Sequence, residues 1–308
     1  MKAIMYHYVR EYDDLHPNFR FLDFRNFGKQ LDFFERNFGF VKKEEWDEAL
    51  VSGLNETVSG KVILTFDDAM SCHYDYVFPE LEKRNLWGIF YVPSLPYVEN
   101  KILDVHRIHL LCGAYDGRDI LNILLNIVTE DMIPDNKIKE FRNKTYSNQK
   151  NYEGVSEFKR ILNYFINYDY RESIIDDVAE SLDYKFDPDN FYTSIENLIK
   201  MNSAGNIIGS HSVNHPVMSK LSRSKQHDQI KDSFDFLNRI DCIQHKTYCH
   251  PYGGFHSFNN DTIELLEHEC VDYSFNVESR EITIDDLKNS KHFLPRFDCN
   301  LFEFGDAS

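Results

Sequence analysis

Two adjacent carboxylates and two spaced histidines are the side chains of this 308-residue sequence best suited to chemistry. Asp67 and Asp68 end the apolar run Val62–Phe66, and His211 and His215 follow a second apolar run four residues apart. If the segment between the histidines forms a helical turn, both imidazoles share one face and could bind one ion. Together with one carboxylate they form a His-His-Asp set with open coordination positions, which is typical of a catalytic metal. The second carboxylate would then not be a metal ligand.

A third segment, Pro251-Tyr252-Gly253, follows another apolar run. Its turn would expose backbone N–H groups, which are suited to contacting a substrate and stabilising an oxyanion. Pro and Gly predict plain turns just as readily, so this segment alone does not indicate a function.

Short apolar runs alternate with amphipathic stretches along most of the chain, which is typical of a parallel β/α architecture. One helix is predicted over Gln226–Ile240, and another from Thr262 after the capping residues Asn259–Asp261. Because parallel strands end at one edge, the residues that follow them should lie close together. The predicted strands are Ala3–Tyr8, Lys61–Phe66, Gly88–Val92, Asn206–Gly209, Lys246–Cys249, Asp272–Val277 and His292–Pro295.

The strand pattern disappears between about Val98 and Asp189, where helical patterns dominate. Predicted helices there are Asp119–Val128, Glu157–Asn167 and Arg171–Leu182. The sequence therefore predicts one domain formed by residues 1–98 and 190–308, with a helical insertion over residues 99–189. Such an insertion could act as a lid over a site or as a passive buttress, and the sequence favours neither.

Composition excludes several classes of protein. The chain is 42% hydrophobic and 15% aromatic, enough for a core, and its 51 acidic and 34 basic residues give a formal charge of −17. This charge disfavours nucleic acid and anionic membranes as partners. The sequence shows no signal peptide, no transmembrane run and no C-x-x-C pair among its six cysteines. We therefore expect a cytoplasmic protein with free thiols.

The three motifs, taken in chain order, resemble those of a known family. Residues 65–68 (Thr-Phe-Asp-Asp), 211–216 (His-Ser-Val-Asn-His-Pro) and 251–253 (Pro-Tyr-Gly) are similar to the first three motifs of the polysaccharide deacetylase (NodB-homology) family. The opening residues 5–9, Met-Tyr-His-Tyr-Val, resemble members whose first strand carries a Tyr-His pair. The resemblance covers residues 1–98 and 190–300 and leaves out the helical insertion.

This resemblance implies a distorted (β/α)7 TIM-like barrel of the α/β class, a divalent metal that is usually Zn²⁺, and removal of the N-acetyl group of an amino sugar. Carried over by position, Asp68, His211 and His215 resemble the metal ligands. Asp67 resembles the general base that accepts a proton from the attacking water, and the Tyr252 backbone N–H would lie in the oxyanion hole.

Two departures from the family pattern concern the remaining roles. The late Leu-x-His motif, which supplies the general acid in many members, has no match, and the Tyr-His pair puts His7 forward instead; His7 could also merely fill a polar position. Cys249 stands where the family commonly has an arginine that orients the base. Arg296 could supply that guanidinium by pairing with Asp67 or Asp298, or could form a surface ion pair. Cys249 itself would be a buried filler or a thiolate near the metal.

The expected substrate follows from the expected location. A cytoplasmic member would act on a nucleotide-linked sugar or a lipid-linked glycan used in surface polysaccharide biosynthesis, because the finished polymers lie outside the cell. The alternatives are a hydrolase of a non-sugar amide or cyclic imide, and a catalytically silent carbohydrate-binding protein on the same scaffold. Basic residues of the insertion that could bind a phosphate are Arg107, Arg118, Lys137, Lys139, Arg142 and Lys144.

Overall fold

A computed structural model describes residues 1–53, 58–134 and 153–307. The chain divides into two compact units. The first comprises Met1–Glu11, Phe21–Lys101 and Asp189–Ser308, and the second comprises Tyr12–Arg20 and Ile102–Pro188.

Among the described residues, all the strands belong to the first unit, whereas the helices are shared between the two. The strands are β1 (Lys2–Tyr6), β2 (Val9–Arg10), β3 (Leu22–Asp23), β4 (Val62–Asp67), β5 (Ile89–Val92), β6 (Ile207–Ser210), β7 (Thr247–Cys249), β8 (Tyr273–Phe275) and β9 (Phe297–Asp298). The helices are α1 (Phe24–Asn37), α2 (Lys43–Ser52), α3 (Phe78–Lys83), α4 (Leu95–Glu99), α5 (Asp104–Ala114), α6 (Gly117–Ile127), α7 (Val155–Arg160), α8 (Tyr168–Ser181), α9 (Ile195–Ser203), α10 (Arg223–Arg239), α11 (Asn260–His268) and α12 (Ile284–Asn289).

Seven of the strands form one curled sheet in the order β8-β7-β6-β5-β4-β1-β9, and every neighbouring pair is parallel. β2 and β3 form a separate small pair. Helices flank the sheet, so the predicted α/β fold with a seven-stranded, barrel-like sheet is confirmed. In such a sheet the carboxyl ends of the strands share one edge, where binding sites form.

The last predicted strand, over His292–Pro295, is wrong except at Leu294, which forms a single bridge to β8. The strand at that edge is β9, whose residues pair with Ile4 and Met5 of β1. Residues 291–293 form a short helical turn instead, and the His292 carbonyl accepts hydrogen bonds from the side chains of His250 and Ser274. Within this segment Leu294 pairs with Phe275 of β8 in an isolated parallel bridge: its N–H donates to the Ser274 carbonyl at 2.8 Å, and its carbonyl accepts from the Asn276 N–H at 3.0 Å. Hydrophobicity alone does not distinguish one such bridge from a full strand.

The central strands have two differently packed faces, as the period of two requires. Leu64, Phe66 and Phe90 pack against helices α1, α3 and α10, whereas Ile63 and Tyr91 belong to a second buried cluster. The side chains of Thr65 and Asp67 lie on the same face of β4 as that of Ile63, since alternate residues of a strand share a face. Asp67 pairs in register with Tyr91. The last side chain of β4 therefore lies on the face opposite α1, α3 and α10.

Gly209 allows the Tyr91 ring to lie against β6. A Cβ atom at this position would come within 2.6 Å of the Tyr91 ring and 2.7 Å of the Thr247 methyl group. Neither neighbour can withdraw easily, because Tyr91 and Thr247 are buried and hydrogen-bonded to each other at 2.9 Å. Glycine here thus serves close packing on the strand that leads to the two histidines.

The second unit has a helical core of its own. Helices α5 to α8 pack through apolar side chains that include Ile108, Leu124, Phe158 and Ile175. Three helical segments were predicted in this unit, and their ranges nearly coincide with α6, with α7 and the π-helical turn that follows it, and with α8.

The candidate phosphate-binding residues of this unit that the structure describes already lie close to carboxylates. Arg107 forms ion pairs with Asp104 and Asp176, and Arg118 lies near Asp116 and Glu153. Lys137, Lys139, Arg142 and Lys144 lie outside the described residues. Over the described ranges, no helix combines the length and apolar character that crossing a bilayer requires.

Candidate active site

The chain turns sharply where β4 ends, which separates the directions of the two carboxylates. Asp67 closes the strand, while Asp68 and Ala69 adopt left-handed conformations with φ of 80° and 53°. Non-glycine residues rarely adopt such angles, and they concentrate at functional sites. Asp68 consequently faces the two histidines, and Asp67 faces Arg296.

Asp68, His211 and His215 form a compact buried cluster. The Nε2 atoms of His211 and His215 lie 3.5 and 3.6 Å from Oδ1 of Asp68, and the two rings are 4.7 Å apart between centroids. One donor atom from each residue lies within 4.8 Å of the other two. The structure thus brings together the three side chains that the sequence singled out as metal ligands.

The helical turn that would put both histidines on one face does not form. Residues 211–217 are irregular, and Ser212 and His215 have positive φ values of 65° and 55°. Gln229 on α10 holds this loop, because its Oε1 accepts the backbone N–H groups of Val213 and Asn214, each at 3.1 Å. The imidazoles therefore converge through a folded-back loop, and Gln229 is a supporting residue that no motif identified.

The hydrogen bonding of His211 prepares it to bind a cation. Its Nδ1 lies 2.9 Å from the Cys249 carbonyl oxygen, and since a carbonyl can only accept, Nδ1 carries the proton. Burial lowers the pKa of His211, although Asp67 and Asp68 act in the opposite direction, so the ring is held in its neutral form. The lone pair on Nε2 then faces a carboxylate oxygen. Two acceptors that face each other, here a nitrogen lone pair and a carboxylate oxygen, repel one another unless a cation lies between them.

The distances also fit a zinc-like ion. Ligands held about 2.0–2.1 Å from a tetrahedral ion lie about 3.3–3.4 Å from one another. The observed distances from Oδ1 of Asp68 to the two imidazoles, 3.5 and 3.6 Å, are close to this value. Asp68, His211 and His215 therefore suit a divalent transition ion in both chemistry and spacing.

Arg296 holds Asp67 in a buried bidentate ion pair. Nη1 and Nη2 donate to Oδ1 and Oδ2, both at 2.8 Å, and Arg296 is 0% exposed. The guanidinium also donates to Thr65 Oγ1 at 3.0 Å and to the Asn276 carbonyl at 3.1 Å. Burial alone would raise the pKa of Asp67, but the Arg296 charge and hydrogen bonds lower it to about 2. Of the two carboxylates considered as partners of Arg296, Asp67 is the one the structure shows.

Cys249 lies against this ion pair. Its Sγ accepts from Arg296 Nη2 at 2.9 Å and lies 3.6 Å from Oδ2 of Asp67. Burial raises the pKa of this thiol well above its ordinary value, and the opposing effect of Arg296 does not reverse the shift. A neutral thiol at this position agrees with a small buried filler better than with a metal-binding thiolate.

His7 lies at the open side of the cluster. Its Nε2 is 3.9 Å from Oδ2 of both Asp67 and Asp68, and its side chain is 39% exposed. His73, which the motifs did not reveal, fixes the backbone at this point because its Nε2 donates to the His7 carbonyl at 2.7 Å. Burial lowers the pKa of His73 to about 4, so the ring is neutral and acts as a hydrogen-bond donor.

Replacing His73 by phenylalanine is expected to misplace His7 while keeping the ring packing against Phe66 and Phe90. The His7 carbonyl would lose its donor, at a cost of about 1–3 kcal/mol in the free energy of unfolding. We expect kcat to fall by roughly 10-fold with KM little changed, since small misplacements of a reacting group slow turnover. Urea unfolding and steady-state kinetics measure both effects; a variant with wild-type kcat would remove His73 from a positioning role.

The Pro251-Tyr252-Gly253 segment forms a tight turn beside His215. The Tyr252 ring lies 4.8 Å from that of His215, and Tyr252 has a φ of 62°. The Gly253 N–H donates to the His250 carbonyl at 3.0 Å, and a Cβ at Gly253, whose φ is 67°, would lie 2.3 Å from the Val277 side chain. Only glycine fits there. The roles of Pro251 and Gly253 in substrate binding and of the Tyr252 N–H in the oxyanion hole stay predictions.

The fold and this cluster together define a barrel-like α/β protein with a candidate metal centre at the carboxyl ends of its strands. The polysaccharide deacetylase family model matches residues 187–271, a segment that contains the histidine loop and the Pro-Tyr-Gly turn. Peptidoglycan-N-acetylmuramic acid deacetylase PdaC of Bacillus subtilis (strain 168) is 37% identical over 59 residues, which span 19% of this chain and 13% of that relative.

Solved structures resemble the fold over nearly the whole chain. Streptococcus pyogenes deacetylase PplD, in complex with acetate, superposes with a TM-score of 0.57 at 15% identity, covering 97% of this chain and 91% of that one. IcaB from Ammonifex degensii gives 0.54 at 15% identity, with 96% and 90% covered. The family match over residues 187–271 and the local similarity to PdaC support the resemblance to the polysaccharide deacetylase (NodB-homology) family that the motifs predicted.

Proposed function

We propose that this protein is a metal-dependent hydrolase that removes the acetyl group from an N-acetylated amino sugar. The observation that carries the proposal is the buried cluster of Asp68, His211 and His215 next to a second carboxylate, Asp67, that Arg296 holds ionised. A binding protein without catalysis would not need a charged carboxylate buried beside a cation site. The deacetylase family match over residues 187–271 and the similarity to PdaC and PplD, which are both deacetylases, support the same reaction.

Asp68, His211 and His215 would hold the ion, for which we propose Zn²⁺. When bound, such an ion lowers the pKa of water and polarises an amide carbonyl. Asp67 accepts a proton from the attacking water, whose oxygen bonds to the acetyl carbon. The C–N bond then breaks, and His7 protonates the leaving nitrogen, so that acetate and a free amine are formed. The Tyr252 N–H donates to the oxygen that becomes negative during the attack.

The low pKa of Asp67 limits how long it can hold a proton. Because Arg296 strongly favours the carboxylate, the proton must pass on quickly to a stronger base. Nε2 of His7 lies 3.9 Å from Oδ2 of Asp67, so a small movement of the half-exposed His7 ring would let the proton return to it. This relay would restore both groups for the next turnover.

The substrate is proposed at the level of an N-acetylated amino sugar. A nucleotide-linked sugar or lipid-linked glycan made in the cytoplasm for a surface polysaccharide stays the finer prediction. The described arginines of the second unit give it little support, because Arg107 and Arg118 already face carboxylates. The lid role of the helical insertion over residues 99–189 also stays a prediction.

Acetate release tests the proposed function directly. Untagged protein would be stripped with a chelator, reloaded with Zn²⁺, and offered N-acetylglucosamine oligomers, a nucleotide-linked N-acetyl sugar and a cyclic imide. We expect acetate from at least one N-acetyl sugar, its loss on chelation and its return with Zn²⁺, because the three ligands have no other way to activate water. The matched control is Asp68→Ala, which should stay inactive after reloading.

Two outcomes would contradict this proposal. Hydrolysis of the imide alone would assign the site to a non-sugar amide. A zinc-loaded protein that is inert on every substrate but binds an oligosaccharide would instead indicate a silent carbohydrate-binding protein.

A further inference from the structure

We propose that His227, His268 and Glu269 form a second binding site for a divalent transition ion, separate from the candidate active site. His227 lies in the first half of α10, His268 is the last residue of α11, and Glu269 follows it. None of the three belongs to a motif of the family resemblance. Their site lies where two helices of the first unit meet, whereas the Asp68 cluster lies at the ends of the strands.

The donor atoms of this second cluster have the spacing of metal ligands. Oε1 of Glu269 lies 3.4 Å from Nε2 of His227 and 3.6 Å from Nδ1 of His268. All three atoms lie within 4.8 Å of one another. These distances nearly repeat those around Asp68, and they match the separation of about 3.3–3.4 Å between ligands of a tetrahedral ion.

Lys246 orients the carboxylate that joins the two imidazoles. Its Nζ lies 3.4 Å from Oε2 of Glu269 and also donates to the Glu269 backbone carbonyl. The Glu269 side chain is only 17% exposed, so its position is restricted. Oε2 is thereby directed to the lysine, and Oε1 is left facing the histidines. A partner that fixes a ligand in this way is typical of metal sites.

The surroundings leave room for an exchangeable ion. An open cleft lined by Arg223, Ser224 and Leu265 adjoins the two histidines. The Arg223 charge is balanced, because its Nη1 lies 2.7 Å from carboxylate oxygens of both Asp261 and Glu264. Water can therefore reach the cleft to complete the coordination sphere, and Arg223 already has carboxylate partners.

The donor set selects the kind of ion. Two imidazole nitrogens and one carboxylate oxygen favour Zn²⁺ and its neighbours over Mg²⁺ or Ca²⁺, which prefer oxygen ligands. Three ligands at a partly exposed site bind more weakly than four in a closed structural site. The ion would fill and leave the site as its concentration changes, and while bound it would join α10 to α11.

Zinc stoichiometry of the untagged full-length protein tests this inference. We expect the wild type to bind two equivalents of Zn²⁺ in calorimetry and equilibrium dialysis, and His227→Gln with His268→Gln to bind one. The same double variant should lose the Zn²⁺-dependent rise in Tm that comes from joining the two helices. His245→Gln is the matched control, since it removes another partly exposed histidine, one that contacts Asp47 at 3.0 Å.

A second variant, which lacks the histidines of the candidate active site, distinguishes Zn²⁺ binding at the two sites. In His211→Ala with His215→Ala, one equivalent should remain, and adding the His227 and His268 substitutions should remove it. If the candidate active site binds no metal, the wild type would bind one equivalent and the surface double variant none, so the two proposals fail independently. Equal Zn²⁺ binding by the wild type and the surface double variant would show that the histidines form only ion pairs with Glu269, which overturns the inference.

Discussion

Asp67→Asn is expected to lower turnover by about 10²–10⁴-fold, the usual contribution of a general base, while the bound metal stays in place. Asparagine has nearly the shape of aspartate but cannot accept the proton from water. Metal content should persist because Asp68, His211 and His215 are unchanged. Elemental analysis and acetate release measure the two quantities, and substantial residual activity would remove Asp67 from the role of base.

The same substitution should also destabilise the protein. Arg296 would keep a fully buried charge without its bidentate partner, and breaking such a pair costs about 3–5 kcal/mol in the free energy of unfolding. Arg296→Met supplies the matched variant, and Asp67→Asn with Arg296→Met completes a double-mutant cycle. We expect the double variant to be much less destabilised than the sum of the two single variants, because it leaves no unpaired charge. Additive urea-unfolding energies would mean that the pair is not coupled.

His211→Ala with His215→Ala is expected to abolish both metal binding at the candidate active site and turnover. The double variant keeps Asp68 as its one remaining ligand. A single carboxylate binds a transition ion much more weakly than a carboxylate together with two imidazoles, so the ion would be lost at low metal concentrations. Metal content by elemental analysis of chelator-treated, reloaded protein and acetate release are the measurements. Unchanged occupancy, after correction for the second site, would show that the proposed ligand set is wrong.

A matched control separates metal loss from general damage. His245→Ala removes an imidazole that contacts Asp47 and belongs to neither cluster, and it should keep both metal and turnover. Circular dichroism of the double variant should match that of the wild type, because the histidine loop is also held by Gln229 from α10.

The sequence predicted the parallel sheet and the residues that gather at its edge because both depend on local patterns. Apolar runs mark buried strands, and polar residues that directly follow such runs must lie at the carboxyl edge. Asp67 at the end of β4, Asp68 directly after it and the two histidines after β6 are found where this reasoning predicts. The barrel-like sheet was predicted from the family resemblance, and the order of the strands was not predicted, since each pattern describes one strand and not its neighbours.

Residues that act across long stretches of chain were harder to predict. Gln229 binds the histidine loop from a helix whose sequence indicates only amphipathic packing, and His73 lies on a π-helical turn that propensities do not predict. The helical turn considered between the histidines does not form, because this segment is an irregular loop whose Val213 and Asn214 N–H groups donate to Gln229. Arg296 was proposed as a partner of Asp67, but its bidentate geometry and its bonds to Thr65 and Asn276 needed the folded chain.

The pairing of Asp67 with Arg296 has a consequence for how the protein matures. The two residues are 229 positions apart, and Arg296 directly precedes β9, which pairs with β1 at the other end of the chain. During synthesis, β4 leaves the ribosome long before the guanidinium that neutralises its last carboxylate. A nascent or shortened chain that ends before this point would carry a fully formed histidine loop beside an aspartate without its counter-charge. The proposed activity can therefore begin only after Arg296 and β9 have been made.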